Sequence, residues 1–217
     1  MGIEQGQKFN KKEFEGLEQT NWWIVTGGPS CGKSTLLDNL ARRGYRTMSE
    51  AARGYIDAQI AEGRTLEEIR RDETEFQTVV LRMKEQREDR IPTGELVIWD
   101  RGLHGDSTAY WLPQVRTELQ IDPDDLFGEE IVTVLKRRYK GVFLLDRLPT
   151  YQRDYSRVED EIDATNIHKR IDFMYKLLGY EPIRVPVMDP CDRAQFVIDQ
   201  MRRLDPSVPN LPHFCLL

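Results

Sequence analysis

The residues from Gly27 to Ser34 have the spacing of a phosphate-binding loop. They read GGPSCGKS, which fits the pattern G-x-x-x-x-G-K-[ST]. Glycines let successive backbone N–H groups turn toward phosphate oxygens, and the start of a following helix adds the positive end of its dipole. In such a loop Lys33 reaches the outer phosphates and the Ser34 hydroxyl binds Mg²⁺. The pattern therefore predicts a site for a nucleoside triphosphate with magnesium. The expected nucleotide-binding residues are Gly28, Pro29, Ser30, Cys31, Gly32, Lys33, Ser34 and Thr35.

The sequence on either side of this loop supports the prediction. Trp22–Thr26 is an apolar run of aromatic and β-branched residues, which is typical of a buried strand. Leu36, Leu37 and Leu40 then fall on one face of a helix that Gly44 is expected to end. Strand, glycine-rich turn and helix together distinguish a functional loop from a chance match.

Glu50 and Arg53 follow a predicted second strand at 45–48. Because the strands of an open parallel sheet end at its ligand crevice, both residues are candidates for the site. Three residues apart at a helix start, they share one face. Glu50 is then a base or anchor for a substrate hydroxyl, and Arg53 a ligand for substrate or phosphate. A helix-capping Glu50 beside an exposed arginine is the equally favoured alternative.

Asp100 follows another apolar run, Glu95–Trp99. A carboxylate at such a strand tip can hold Mg²⁺ through water or accept a proton from an attacking hydroxyl. A simple turn aspartate is the alternative, and the upstream loop favours the functional interpretation. Residues 102–125 contain His104 and Asp106 and are expected to line an acceptor pocket, with His104 as a hydrogen-bonding wall residue rather than a metal ligand.

Arg153 and Arg157 follow a predicted fourth strand at 141–146. They are four residues apart, so on a helix they point the same way. Placed over the phosphates they would neutralise charge on a transferred group. An exposed helix with weak surface ion pairs fits these two residues equally well.

Other segments complete a pattern of alternating strands and helices. One long helix is predicted from Thr65, with Glu68 completing a capping box, to about Arg90, its charged residues forming a solvated face. A further helix is predicted at 131–139. Asp189 is expected to cap a final helix.

Composition places the chain among globular proteins with well-solvated surfaces. It has 217 residues, of which 39% are hydrophobic and 31% charged, and a net charge of −6. This charge disfavours nucleic acid as the main partner. No apolar stretch approaches the ~20 residues of a membrane span, so a cytoplasmic location is the default. The expected organisation is a polar arm at 1–20, one domain at 21–204 and an extended tail at 205–217.

Several motifs in one order resemble a known family. Besides the loop, they are Glu50–Arg53, Phe76-Gln77, Asp100–Gly102 and the segment with Arg153 and Arg157. The chain resembles, over about residues 22–203, the small P-loop family that includes nicotinamide riboside kinase-like domains and predicted ATPases labelled AAA. The resemblance implies an α/β, three-layer P-loop NTPase fold. Its five-stranded parallel sheet would have the order 2-3-1-4-5, with helices on both faces.

The resemblance also implies Mg²⁺ and ATP as phosphoryl donor and a small, nucleoside-like metabolite with a hydroxyl as acceptor. Glu50, Arg53 and Arg101 would then face the acceptor and Asp100 the metal or the hydroxyl, with arginines acting from a lid. GTP is the alternative donor, although no Asn/Thr-Lys-x-Asp guanine signature occurs.

Two other functions are compatible with the sequence. The first is a regulatory module whose binding to a protein or lipid depends on the nucleotide, for which the arm and the tail leave room. The second is a simple ATPase, which is disfavoured because no water-positioning glutamine follows Asp100. The oligomeric state is not predicted.

Overall fold

The computed structural model describes residues 16–110, 136–149 and 160–211. A parallel five-stranded sheet forms its centre, and a parallel pair of short strands lies apart from it. The strands are β1 (Glu18–Gln19), β2 (Trp22–Thr26), β3 (Thr47–Met48), β4 (Val97–Asp100), β5 (Arg137–Arg138), β6 (Gly141–Leu145) and β7 (Ile183–Val185). The helices are α1 (Lys33–Arg42), α2 (Ala51–Ala61), α3 (Leu66–Ile69), α4 (Glu73–Asp89), α5 (Glu161–Leu177) and α6 (Pro190–Leu204). Residues 104–110 are also helical.

The central sheet has the strand order β3-β4-β2-β6-β7, and every neighbouring pair is parallel. Counted within this sheet alone, that is the order 2-3-1-4-5. β2 is the middle strand, with Val25 beside Asp100 of β4 on one side and Phe143 of β6 on the other. The phosphate-binding loop therefore leaves the sheet at the point where the ends of β4 and β6 flank it.

The core lies on both faces of the sheet because side chains alternate along each strand. Trp23 and Val25 of β2 pack with α1 and α6, whereas Trp22 and Ile24 pack with α5. A third apolar cluster joins α2, α3 and α4. The predicted α/β fold, with a five-stranded parallel sheet between layers of helices, is confirmed.

The predicted long helix from Thr65 to Arg90 is in fact two helices. Thr65 and Glu68 form the predicted capping box at the start of α3. Asp72 then begins α4, because its side chain accepts a hydrogen bond from the Glu75 N–H at 2.9 Å. In a continuous helix these backbone N–H groups would bond to the preceding turn. At the start of α4 they have no such partner, and the N-cap side chain of Asp72 accepts from one of them.

The predicted helix at 131–139 is wrong at its end, since Arg137–Arg138 is a strand. This strand pairs with Glu18–Gln19 of the predicted arm. Arg137 also forms an ion pair with Asp89 at 2.8 Å. Residues 1–15, 111–135, 150–159 and 212–217 lie outside the described residues, and the division into arm, domain and tail stays a prediction. None of the described helices is both long and apolar enough to span a membrane.

Candidate functional site

The phosphate-binding loop is closed around the ammonium group of Lys33. Gly27 has φ +146° and Gly32 has φ +84°, and both angles lie in the region that favours glycine. Gly32 is the N-cap of α1, so the helix begins at Lys33. The Lys33 Nζ lies 3.3 Å from the Gly28 carbonyl oxygen and 3.4 Å from that of Gly27. The sequence thus builds the strand–loop–helix unit that the motif predicts, with the lysine held inside the loop.

Arg193 of α6 ties the loop to the ends of two neighbouring strands. Its guanidinium donates to the carbonyl oxygens of Cys31 at 2.7 Å, Asp146 at 2.9 Å and Val185 at 3.1 Å. Cys31 itself is fully buried. On the opposite side, the Gly28 N–H donates to Nδ1 of His168 on α5 at 3.3 Å. Helices from both faces of the sheet therefore fix the loop.

Arg101 connects the loop to Glu50. Its Nε donates to Glu50 Oε1 at 2.7 Å, and its Nη1 donates to the Gly27 carbonyl oxygen at 3.1 Å. Only 5% of the Arg101 side chain is exposed, compared with 24% of the Glu50 side chain. Glu50 occupies the N-cap position of α2, but its side chain makes no capping hydrogen bond. The carboxylate is directed to Arg101 instead of to the helix.

Asp106 holds Arg101 from the other side and is completely buried. Its Oδ1 accepts from Arg101 Nη1 at 3.0 Å and from Thr26 Oγ1 at 2.5 Å. Its Oδ2 accepts from the Gly102 N–H at 2.9 Å and from the Tyr175 hydroxyl at 2.7 Å. Four hydrogen bonds satisfy this carboxylate, and one of them fixes the position of the Arg101 guanidinium.

Glu50 is anionic at neutral pH. Burial by itself raises its pKa, but the positive charges of Arg101, Lys33 and Lys84 outweigh burial and lower the pKa to about 2. The hydrogen bond from Arg101 adds to this effect. An ionised, partly exposed carboxylate can accept a hydrogen bond from a hydroxyl group brought beside it.

Asp100 is the second carboxylate of the site and has the opposite electrostatics. Burial and then the charge of Glu50 raise its pKa to about 7, although Lys33 and Arg101 act against them. The residue is 6% exposed, and its Oδ1 has no hydrogen-bond partner among the described residues. A buried carboxylate oxygen without a partner is energetically costly unless a cation or water satisfies it.

The residues at this position fit Mg²⁺. Ser34 is exposed in the first turn of α1, and Asp100 lies at the end of β4, beside the strand that leads into the loop. The described ranges contain no group of three or more His, Cys, Asp or Glu residues able to hold a metal by themselves. Magnesium beside nucleotides is bound by one or two protein ligands, and phosphates and water complete its coordination.

Lys84 belongs to the site but was not predicted. Its Nζ lies 3.1 Å from the Gly102 carbonyl oxygen and 3.2 Å from Ser107 Oγ. The expectation that the charges of this helix form a solvated face is wrong for Lys84 and Glu88, which are both buried. A signal was present, because these residues continue the four-residue spacing of Phe76 and Val80.

The remaining predicted site residues are Arg53, His104, Arg153 and Arg157, and the structure describes only the first two. Arg53 lies half-buried in α2, one turn after Glu50. His104 is buried, and burial lowers its pKa to about 3, so the imidazole is neutral. Its Nε2 has no hydrogen-bond partner among the described residues, and its role as a hydrogen-bonding wall residue stays a prediction. Arg153 and Arg157 lie outside the described residues, and the predicted lid stays a prediction.

Comparison with known families and structures identifies the family and supports the fold. A family model described as an AAA domain matches residues 22–193. The chain belongs to this AAA-domain family. No curated protein matches the sequence.

Two kinds of solved structure share the fold. The deoxyadenosine kinase from M. mycoides, with the products dCMP and dCDP, has a TM-score of 0.60 at 16% identity, covering 84% of this chain and 99% of the kinase. NadR protein in complex with NR has a TM-score of 0.60 at 16% identity and covers 90% of this chain. NadR protein in complex with NAD and AMP-PNP has a TM-score of 0.55 at 15% identity and covers 93%. The chain spans 53% of the length of NadR.

Proposed function

We propose that this chain is a kinase that transfers the γ-phosphate of Mg·ATP to a hydroxyl group of a nucleoside-like metabolite. The observation that carries the proposal is the direct link between the two halves of the site. Arg101 donates both to Glu50 and to the carbonyl oxygen of Gly27, the first residue of the phosphate loop. An acceptor hydroxyl bound at Glu50 would therefore be held beside the phosphates.

The donor half consists of the loop, Lys33 and Ser34. On binding a nucleotide, Lys33 exchanges its two long contacts with the loop carbonyls for phosphate oxygens, which carry full negative charge. Ser34 and Asp100 would hold the magnesium ion, which neutralises charge on the phosphates when bound.

The acceptor half consists of Glu50 and Arg101. With a pKa of about 2, Glu50 is a weak base but a good hydrogen-bond acceptor, so it orients the hydroxyl. This suffices because phosphoryl transfer passes through a loose transition state that depends mainly on positioning and charge stabilisation. The ligands named with the related structures, which are a deoxynucleotide and NR, support a nucleoside-like acceptor.

The proposal is tested by incubating the purified chain with Mg·ATP or Mg·GTP and a panel of adenosine, deoxyadenosine, deoxycytidine and nicotinamide riboside. Mass spectrometry detects the phosphorylated product. Lys33→Met supplies the background, and Lys176→Met is the matched control because Lys176 is an exposed lysine paired with Asp172 on α5. We expect product from the wild type and from Lys176→Met only.

Glu50→Gln separates the two halves of the site. It should lower acceptor turnover at least about a hundredfold, while the dissociation constant of the ATP analogue AMP-PNP changes less than about threefold. If no compound of the panel is phosphorylated above the Lys33→Met background, the kinase proposal fails. ADP formation without an acceptor product would then indicate an ATPase, and nucleotide binding without turnover would indicate a regulatory module.

A further inference from the structure

One turn of α4, from Lys84 to Glu88, contacts both of the turns that carry the Glu50–Arg101 pair. On the Arg101 side, the Lys84 ammonium donates to the carbonyl oxygen of Gly102, the next residue along the chain, at 3.1 Å. It also donates to Ser107 Oγ at 3.2 Å. Lys84 thus holds both the beginning and the end of the segment that contains Asp106.

Glu88 reaches the same segment through Tyr139. The Tyr139 hydroxyl donates to Glu88 Oε1 at 2.6 Å and accepts from the Leu103 N–H at 2.8 Å. The single peptide group between Gly102 and Leu103 is therefore held at its carbonyl oxygen by Lys84 and at its N–H, through Tyr139, by Glu88, one helical turn further along α4.

Arg87 supplies the contact on the Glu50 side. Its Nη1 donates at 2.9 Å to the carbonyl oxygen of Ser49, which precedes Glu50. The position of α4 is itself defined by packing, since Phe76 and Val80 lie in the apolar cluster with Ala51 and Ile56 of α2. One helix, α4, therefore holds the backbone next to both Glu50 and Arg101.

Lys84 is the residue of this turn whose burial calls most for an explanation. An ammonium group removed from water is costly, and a leucine in its place would contribute more apolar packing. Burial lowers the pKa of Lys84, while the nearby Asp106, Glu50 and Glu88 carboxylates act in the opposite direction. Its two hydrogen bonds to the turn after β4 give the charge a specific role.

We propose that Lys84 is a positioning residue of the acceptor site, which fixes the turn after β4 so that Arg101 holds Glu50 beside the phosphate loop. The proposal rests on the proposed function for its consequence in catalysis, but the positioning of the turn is independent of it. The side chain acts through Gly102 and Ser107 and is not itself a catalytic residue.

The first experiment measures hydrogen exchange of the Leu103 amide by NMR in the wild type and in Lys84→Met, Lys84→Arg and Lys176→Met. Methionine keeps the length and packing of the side chain but removes the charge and the donors. We expect exchange at Leu103 to be at least about tenfold faster in Lys84→Met, because a hydrogen bond from a charged donor is lost next to it. Lys84→Arg should restore most of the protection, and Lys176→Met should leave it unchanged.

The second experiment compares the kinetic constants of the same variants with a nucleoside that the wild type phosphorylates. Lys84→Met should lower kcat/KM for the nucleoside at least about tenfold and leave the KM for ATP within about twofold, with partial rescue by arginine. An equal loss for both substrates would contradict a role in the acceptor half. Unchanged exchange at Leu103 in Lys84→Met would overturn the proposal.

These two experiments separate the proposal from the proposed function. If the nucleoside panel gives no product, the kinase assignment fails, and the exchange measurement still decides whether Lys84 positions the turn. If the panel gives product but Lys84→Met exchanges and turns over like the wild type, only the role of Lys84 is lost.

Discussion

Asp106 shows how a single buried residue organises the charges of this site. It is fully buried, and each of its two carboxylate oxygens accepts two hydrogen bonds. It faces Arg101, which also has Glu50 as a partner. Burying such charged and polar groups costs little free energy while every partner is present. Removing one partner leaves the others buried and unsatisfied.

Asp106→Ala should therefore destabilise the protein strongly. It removes the acceptor for the Arg101 guanidinium, the Tyr175 hydroxyl and the Thr26 hydroxyl at once. We expect the free energy of unfolding in urea to fall by about 3–5 kcal/mol. Asp38→Ala, at an exposed position of α1, is the matched control and should change it by less than about 0.5 kcal/mol. A loss of similar size in both variants would contradict this role of Asp106.

Glu88 makes the stability of the protein depend on pH. Burial raises its pKa from 4.5 to about 7. Because the folded state binds the proton more tightly than the unfolded state, the contribution of Glu88 to stability is largest below pH 4.5. It decreases as the pH rises to about 7, where the carboxylate is ionised, and the penalty is complete above that pH.

Glu88→Gln should remove this dependence, since glutamine keeps an acceptor for the Tyr139 hydroxyl without a charge. Between pH 4.5 and pH 8 the free energy of unfolding of the variant should rise relative to the wild type by on the order of 3 kcal/mol. Urea denaturation across this range measures the difference, and Glu85→Gln, near Glu88 on α4 but not buried, is the control. A constant difference between variant and wild type would show that Glu88 titrates normally.

At the scale of elements, Gly28 determines how closely α5 approaches the phosphate loop. A Cβ atom at this position would lie 2.7 Å from the Ala164 carbonyl oxygen and 3.0 Å from the His168 Cβ. Gly28→Ala must therefore move α5 or the loop, because the nearest obstacle is backbone. The same step would break the hydrogen bond from the Gly28 N–H to His168.

We expect Gly28→Ala to weaken binding of AMP-PNP at least about tenfold and to lower stability by about 1–3 kcal/mol. Gly94→Ala is the matched control, because a Cβ there would meet nothing within 4 Å. Calorimetry gives the affinity, and thermal unfolding gives the stability. If both alanine variants bind the nucleotide like the wild type, the loop and α5 are not closely coupled.

The helices show which elements could be predicted from the sequence. α1 was predicted with its end at Gly44, and the cap of α6 at Asp189, because local signals determine both. The break between α3 and α4 was missed, since the apolar spacing continues across it and the second cap depends on Asp72 alone. Arg137–Arg138 was assigned to a helix because its pairing partners lie far away in the sequence, at Glu18–Gln19.

At the scale of the whole molecule, the sheet order brings together the residues of the proposed donor and acceptor halves of the site. β2 ends in the phosphate loop, and β4 beside it ends in Asp100 and Arg101. β3 lies next to β4 and leads to Glu50. Three segments distant in sequence thus deliver their side chains to one edge, which is where open parallel sheets bind ligands.

The sequence predicted this assembly only in part. Strand ends and the loop pattern suffice to place Lys33, Glu50 and Asp100 at one edge. Arg101, which contacts Glu50 directly, has φ +67°, an uncommon backbone conformation for a residue other than glycine that the sequence does not predict. The supporting positions of Asp106 and Lys84 depend on packing between elements, and local sequence rules do not specify such packing.

Binding of Mg·ATP at the proposed site should stabilise the whole fold, because the phosphate-binding loop joins β2 to α1 and is held by α5 and α6. At a concentration one hundred times the dissociation constant, a ligand that binds only the folded state adds about 2.7 kcal/mol to the free energy of unfolding. In a domain of this size that corresponds to a rise of several degrees in Tm. Scanning calorimetry with ATP, with and without Mg²⁺, measures the magnesium-dependent part of this rise.

Asp100→Asn tests whether the magnesium-dependent part depends on Asp100. The substitution removes the buried charge and leaves a side chain of the same shape, so the variant should fold and should keep the rise in Tm caused by ATP alone. The additional rise on adding Mg²⁺ should largely disappear, because an amide is a much poorer ligand for Mg²⁺ than a carboxylate. Asp199→Asn, at an exposed position of α6, should respond like the wild type. If Asp100→Asn and the wild type respond equally to Mg²⁺, Asp100 is not a ligand of the metal. Its buried oxygen without a partner among the described residues would then be satisfied by water.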